Sequence, residues 1–178
     1  MAGNVYLVGM MGAGKTTIGR ALAQKTGREF VDTDRVLVER TGVPVATIFE
    51  IEGEEGFRRR ESAVIDELAR RSDCVVATGG GAVLADDNRR LMRASGTVIY
   101  LRAKLDNLWE RTRHDASRPL LATADPRGTL AALLERRDPL YREAAHIVME
   151  TSSQAASTLV GRVLTALREH AQAGGEAP

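Results

Sequence analysis

Short apolar, β-branched runs at residues 5–8, 29–32, 74–78, 97–101 and 146–149 alternate with longer stretches whose apolar side chains recur at helical spacing. The runs have the length of strands, and about five strands are predicted from them. A helix is predicted over 16–26. Another is predicted over 57–71, where Phe57, Val64, Ile65 and Leu68 share one face. Leu159, Val160, Val163, Leu164 and Leu167 repeat that pattern near the end of the chain. Strand and helix alternate throughout, which implies right-handed crossovers, a parallel sheet and helices over both of its faces. The class is therefore α/β, a three-layer αβα arrangement around about five parallel strands. No internal repeat is visible. Two segments break the rhythm. Residues 113–127 are polar and turn-rich, carry Pro119 and Pro126, and are long for a connection inside one domain, as functional covers are. Residues 171–178 are small and contain glycine, and a disordered tail is expected there. A single domain over 1–170, including the cover, is the organisation predicted.

Composition narrows the classes of function. At 178 residues, 43% hydrophobic and 28% charged, the chain can bury a real core, which excludes collagen, coiled coil and disorder. Its 25 basic and 24 acidic side chains leave a net charge of +1, which argues against a general nucleic-acid or membrane-surface binder. So few aromatic residues, 4% of the chain, offer no stacking platform for single-stranded nucleic acid. Cys74 is the only cysteine, so neither an intrachain disulfide nor a cysteine-based metal site can form, and a reducing compartment fits. His114, His146 and His170 are too scattered to indicate a metal cluster. No apolar stretch approaches the roughly 20 residues of a membrane helix. The apolar run 5–11 lacks the preceding basic residue of a signal peptide and is interrupted by glycine. A cytoplasmic protein is expected, and a monomer. The positive charge is lopsided: Lys15, Lys25 and Lys104 are the only lysines, and the rest are arginines. Codon bias toward Arg and Ala accounts for most of them, so the question is which arginines do chemistry.

The strongest motif is Gly9-Met10-Met11-Gly12-Ala13-Gly14-Lys15-Thr16, which fits GxxxxGKT between a predicted strand and a predicted helix. In that context glycines let backbone N–H groups turn inward around phosphate oxygens at the positive end of a helix. Lys15 would reach the β- and γ-phosphates of a bound ATP or GTP, and the Thr16 hydroxyl would ligate Mg²⁺. The plainer reading is a Gly-rich turn with a chance lysine. No guanine-reading Asn-Lys-x-Asp segment is present, and the DxxG match at Asp125-Pro126-Arg127-Gly128 lies too late in the chain for a GTPase.

The acceptor of the phosphate is less marked. Asp32 and Asp34 stand at and just beyond a predicted strand end, where open parallel sheets gather their ligands. One carboxylate could orient Mg²⁺ and the other accept from a substrate hydroxyl, or one could simply cap the following helix. Thr78-Gly79-Gly80-Gly81 follows the third strand, where many ATPases place a metal-binding Asp, which makes Asp32 the stronger metal candidate. Three glycines allow close approach to a small ligand, or make a flexible turn. Arg58 and Arg137 would suit an acceptor carrying a carboxylate, with Arg59, Arg60 and Arg136 as immediate rivals.

Taken together, GMMGAGKTTIGR, the Asp32-Thr33-Asp34 pair, Gly56-Phe57-Arg58-Arg59-Arg60-Glu61, Thr78-Gly79-Gly80-Gly81, Arg118-Pro119-Leu120-Leu121 and Arg137-Asp138-Pro139-Leu140-Tyr141 closely resemble shikimate kinase, over about 5–153. The resemblance implies a P-loop kinase fold and ATP-dependent phosphorylation of the shikimate 3-hydroxyl, with Mg²⁺. It implies that Gly12, Ala13, Gly14, Lys15, Thr16 and Thr17 cradle the nucleotide, that Arg111 packs against adenine, and that Thr16 and Asp32 serve the metal. Asp34 is implied to engage shikimate hydroxyls and act as base, Arg58 and Arg137 to clamp its carboxylate, and Gly79, Gly80 and Gly81 to contact it. Residues 113–127 become a mobile lid carrying Arg118 to the transferring phosphate. The chain departs from the family pattern after the last strand, with Glu150-Thr151 where Asp-Thr is frequent. The competing readings are a gluconate or nucleoside monophosphate kinase on the same fold, and a nucleotide-binding regulatory module.

Overall fold

The computed structural model describes residues 3–115, 119–151 and 155–175. Strands β1 (Asn4–Val8), β2 (Glu29–Asp32), β3 (Cys74–Ala77), β4 (Gly96–Ala103) and β5 (Ile147–Thr151) form one sheet in the order β2-β3-β1-β4-β5. Every pairing is parallel, with Val5 opposite both Val75 and Thr97. β1 and β3 are buried along their whole length, as strands covered on both faces must be. At the edge, β5 alternates: Val148 and Glu150 are exposed while Met149 and Thr151 are buried.

The helices are α1 (Lys15–Thr26), α2 (Thr33–Thr41), α3 (Val45–Ala69), α4 (Asp86–Ser95), α5 (Leu105–Thr112), α6 (Pro126–Ala144) and α7 (Ala156–Gly175). α1 and α7 pack together on one face, and α3, α4 and α6 on the other. The core between the layers holds Leu7, Val76, Ile99, Leu22, Ile65 and Val163, all but closed to solvent.

The predicted strands fall within a residue or two of the observed ones, and three local features differ. The helix predicted over 57–71 is the second limb of α3, which begins at Val45 and breaks at Gly53, where φ is 69° and ψ 179°. With α2 before it, this makes two consecutive helices between β2 and β3 where plain alternation predicts one. The stretch read as a cover ends at Asp125, not Arg127. Asp125 Oδ1 accepts from Gly128 N–H at 2.9 Å and Pro126 opens α6, so the DxxG match is a helix cap. Finally, the tail set apart at 171–178 is helical through Gly175. Leu159, Val160, Val163 and Leu167 anchor α7 in the core, and extending an anchored helix through Ala171, Gln172 and Ala173 needs no further packing.

Candidate active site

The phosphate-binding motif leaves the carboxyl end of β1 and closes into α1. Gly9 has φ 144°, and a side chain there would lie 2.6 Å from the Leu101 carbonyl oxygen, so only glycine fits. Within the loop, Ala13 N–H donates to Met10 O at 3.1 Å. Lys15 folds back over it and donates to the carbonyls of Gly9 at 2.7 Å and Met10 at 2.8 Å. Among the described residues no side chain caps α1, and the residues at its start border the adjoining cavity. That cavity, about 280 Å³, is bordered by Gly12, Gly14, Lys15, Thr16, Thr17 and Asp32.

Asp32 serves two neighbours. Its Oδ1 accepts from the backbone N–H groups of Asp34 and Arg35, capping α2, and its Oδ2 accepts from the Thr16 hydroxyl at 2.8 Å. The cap therefore falls on Asp32, while Asp34 borders both this cavity and a larger one on the other side of the loop. Among the described residues no three His, Cys, Asp or Glu side chains converge as a metal cluster. Two hard oxygens beside a phosphate-binding loop fit Mg²⁺, which keeps several waters and takes other ligands from the nucleotide. Arg111 donates to Gly12 O at 3.0 Å and borders a further cavity of about 190 Å³ that reaches Thr151, beyond the loop.

A larger cavity of about 620 Å³ opens on the other side of the loop. Its apolar wall includes Val38, Val43, Val45 and Phe49, and its polar wall is Asp34, Arg58, Glu61, Gly79, Gly80, Gly81 and Arg137. The rival arginines separate cleanly. Arg58 is 19% exposed along its side chain, whereas Arg59, at 68%, pairs with Glu55 on the solvent side. Arg60 is held outward by two bonds to Glu52. Arg137 is 2% exposed, while its neighbour Arg136 faces solvent. The Nε–H groups of Arg58 and Arg137 are both buried without a hydrogen-bond partner among the described residues. Buried guanidinium donors in that state are costly, and an anion in the cavity would satisfy them.

Glu61, to which the sequence pattern assigns no role, also borders this cavity. It is fully buried, one helical turn from Arg58, and bonds Arg58 Nη1 at 2.7 Å. Burial pushes its carboxyl above the ordinary range, and Arg58 pulls it only partway back. Burial likewise works against the Arg58 charge, but Glu61 and Glu54 outweigh it and hold the guanidinium above its usual value. The i, i+3 spacing in Arg58-Arg59-Arg60-Glu61 was the available signal. Thr33, whose hydroxyl accepts from Gly79 N–H at 3.0 Å, gave none.

The two chambers share Met11, Asp34 and Gly80. The phosphate-loop cavity and the larger cavity therefore meet at one carboxylate and one glycine. Of the other candidates, Pro119 and Leu120 line the larger cavity, and Arg118 lies outside the described residues.

The family model for shikimate kinase matches residues 11–168. The chain belongs to the shikimate kinase family. It is 57% identical over 167 residues to the shikimate kinase of Chromobacterium violaceum, covering 94% of this chain and 91% of that one. To that of Nitrosospira multiformis it is 59% identical over 152 residues, 85% and 78% of the two chains. A solved shikimate kinase from Acinetobacter baumannii, in complex with shikimate, superposes with a TM-score of 0.92 at 47% identity, over 94% of this chain and 93% of the other. A gluconokinase from Sinorhizobium meliloti, at 19% identity and a TM-score of 0.61, shares the fold alone. The shikimate kinase family thus accounts for the P-loop kinase architecture and for the order of motifs along the chain.

Proposed function

We propose that this chain transfers the γ-phosphoryl group of ATP to the 3-hydroxyl of shikimate, giving shikimate 3-phosphate and ADP, the kinase step of the route to chorismate and the aromatic amino acids. The observation that carries the residue assignments is the junction of the two cavities at Asp34 and Gly80, with the buried donors of Arg58 and Arg137 on the acceptor side. The nucleotide phosphates take the loop 9–16, where Lys15 exchanges the carbonyls of Gly9 and Met10 for phosphate oxygens. Gly12, Ala13, Gly14, Thr16 and Thr17 complete that cradle, and Arg111 stands between the phosphates and the 190 Å³ cavity that suits the base. Mg²⁺ held by the Thr16 hydroxyl and the Asp32 carboxylate would neutralise charge on the phosphates.

On the acceptor side, Arg58 and Arg137 grip the carboxylate while Gly79, Gly80 and Gly81 admit the ring. The 3-hydroxyl is thereby held at the junction beside Asp34. Its oxygen bonds to the γ-phosphorus as the bond from that phosphorus to the bridging oxygen of ADP breaks, and its proton passes to Asp34. Because a neutral alcohol becomes acidic only as the new bond forms, Asp34 first orients it and takes the proton late. Closure of 113–125 would exclude water and bring Arg118 to the phosphoryl oxygens, a contribution of roughly 10³–10⁵ in rate in related transfers.

No helix among the described residues is long and apolar enough to cross a membrane. A cytoplasmic setting agrees with one buried, free cysteine, Cys74. Coupled assay of ADP release with shikimate, gluconate and nucleoside monophosphates tests the function. Shikimate alone should raise turnover, and ATP consumption that ignores shikimate would sink the proposal. Calorimetric binding of shikimate separates an enzyme from a regulatory nucleotide-binding module.

A further inference from the structure

Gly80 borders both chambers, so the orientation of its peptide is part of the site, yet it has no side chain by which to be held. Its backbone is held from α6. Tyr141 is fully buried and donates its hydroxyl to the Gly80 carbonyl at 2.5 Å, with Met10 Sδ at 3.5 Å and the Arg137 guanidinium also beside the phenol oxygen. The Tyr141 ring is itself fixed. It stacks on Tyr100 with centroids 4.9 Å apart and planes inclined by 28°. Tyr100 in turn donates to Asp138 Oδ1 at 2.8 Å, and Asp138 Oδ2 accepts from Arg142 at 2.7 Å.

Tyr141 follows Arg137 by one turn of α6, so the two side chains leave the same helix face. One turn thus presents a guanidinium to the acceptor cavity and a phenol to the loop that forms its floor. A side chain built on Gly80 would lie 3.6 Å from Arg137 Nη1, which shows how closely these groups adjoin. Tyr141 lines neither chamber. Because a trans peptide is planar, holding the Gly80 carbonyl also fixes the Gly81 N–H on the opposite edge. Burial pushes the Tyr141 hydroxyl well above its ordinary value, so it stays a donor across the working pH range.

We infer that Tyr141 is a positioning residue of the acceptor site: its hydroxyl, braced by the Tyr100–Asp138 pair, sets the peptide planes of the 79–81 loop against the acceptor without touching acceptor or nucleotide. This rests on the acceptor site proposed above. Tyr141→Phe keeps the stacked ring and removes the hydroxyl, both as donor to Gly80 and as neighbour of Arg137. KM for shikimate is expected to rise about 5- to 10-fold, the usual weight of one buried hydrogen bond, with KM for ATP within twofold of the parent. A merely structural loss would lower the melting temperature without separating the two constants. Tyr141→4-aminophenylalanine restores a donor at the same place and should bring KM for shikimate most of the way back.

Two KM values that rise together, neither rising, or no rescue by the amino variant would overturn the inference. If Tyr141→Phe does not fold, spectra of glycine-¹⁵N-labelled 4-aminophenylalanine protein carry the test. The lengthened bond must shift the amides of Gly80 and Gly81 ahead of distant glycines such as Gly27 and Gly42, and unshifted amides refute it. Failure of this inference is distinct from failure of the functional proposal, which shows as a parent enzyme indifferent to shikimate.

Discussion

Gly81→Ala tests the acceptor site through a residue that bears no charge. A Cβ at this position would sit 2.2 Å from Cζ and Nη2 of Arg58 and 2.4 Å from Nη1. Carbon atoms in contact stay about 3.5–4.0 Å apart, so the guanidinium must retreat by about 1.5 Å. Arg58 ends a long side chain and can move without unfolding α3. It cannot move that far and keep its 2.7 Å bond to Glu61, or meet a carboxylate where Arg137 also reaches it. Hydrogen bonds to charged groups contribute about 1.5–3 kcal/mol, so losing the Arg58 grip should raise KM for shikimate about 10- to 150-fold. KM for ATP should hold, since the phosphate loop is untouched. The decisive measurement is a double-mutant cycle on KM for shikimate in the coupled ADP assay. In an Arg58→Ala background the guanidinium is already gone, so adding Gly81→Ala should change KM by less than twofold. If Gly81→Ala alone leaves KM within twofold of the parent, or its effect adds fully to that of Arg58→Ala, the argument that Gly81 is small to make room for Arg58 is wrong.

Other outcomes are as specific. Arg137→Ala should raise KM for shikimate about 10²–10⁴-fold, equivalent to about 3–5 kcal/mol for breaking a buried ion pair, while Arg136→Ala stays within twofold; equal effects would refute the burial argument. Lys15→Ala should depress kcat with little change in melting temperature, and a variant with full turnover would remove Lys15 from the transfer. His146 supplies a pH dependence: burial, Arg93 and the His170 ring hold its imidazole below the ordinary value, and its Nδ1 accepts from Val98 N–H at 3.0 Å. A depressed folded-state value means that the unfolded chain binds the proton more readily. The stability it contributes is therefore complete above about pH 6.5 and lost as pH falls through the lower, folded value. Melting temperature should decline over that window, and His146→Gln, which can still accept from Val98, should flatten the decline.

The parts legible in the sequence were those set by local spacing. Strand length and alternation, the glycine-and-lysine phosphate loop and the apolar face of 57–71 each arise within a few residues, and the structure keeps them. The kink at Gly53 was not legible, because nothing in a helical pattern separates a glycine tolerated in α3 from one at φ 69°. Nor was it legible which of Asp32 and Asp34 caps the following helix, since either carboxylate reaches an amide two or three residues on. The helix over 171–175 was not legible because a small-residue segment looks the same whether or not a packed helix precedes it, and 176–178 lie outside the described residues.

What this sequence determined by itself is chemistry in order along a chain: a phosphate loop, two carboxylates after the second strand, three glycines after the third, and a surplus of arginines. Which of the adjacent arginines are withdrawn from water was decided only by tertiary structure. Arg58 and Arg59 are adjacent and alike, but successive helix positions point about 100° apart, so one enters the acceptor cavity beside Glu61 while the other pairs in water with Glu55. The same rotation buries Arg137 and exposes Arg136. Charge and identity are properties of the sequence, whereas desolvation, which gives a guanidinium its grip on an anion, exists only once the surrounding elements have packed.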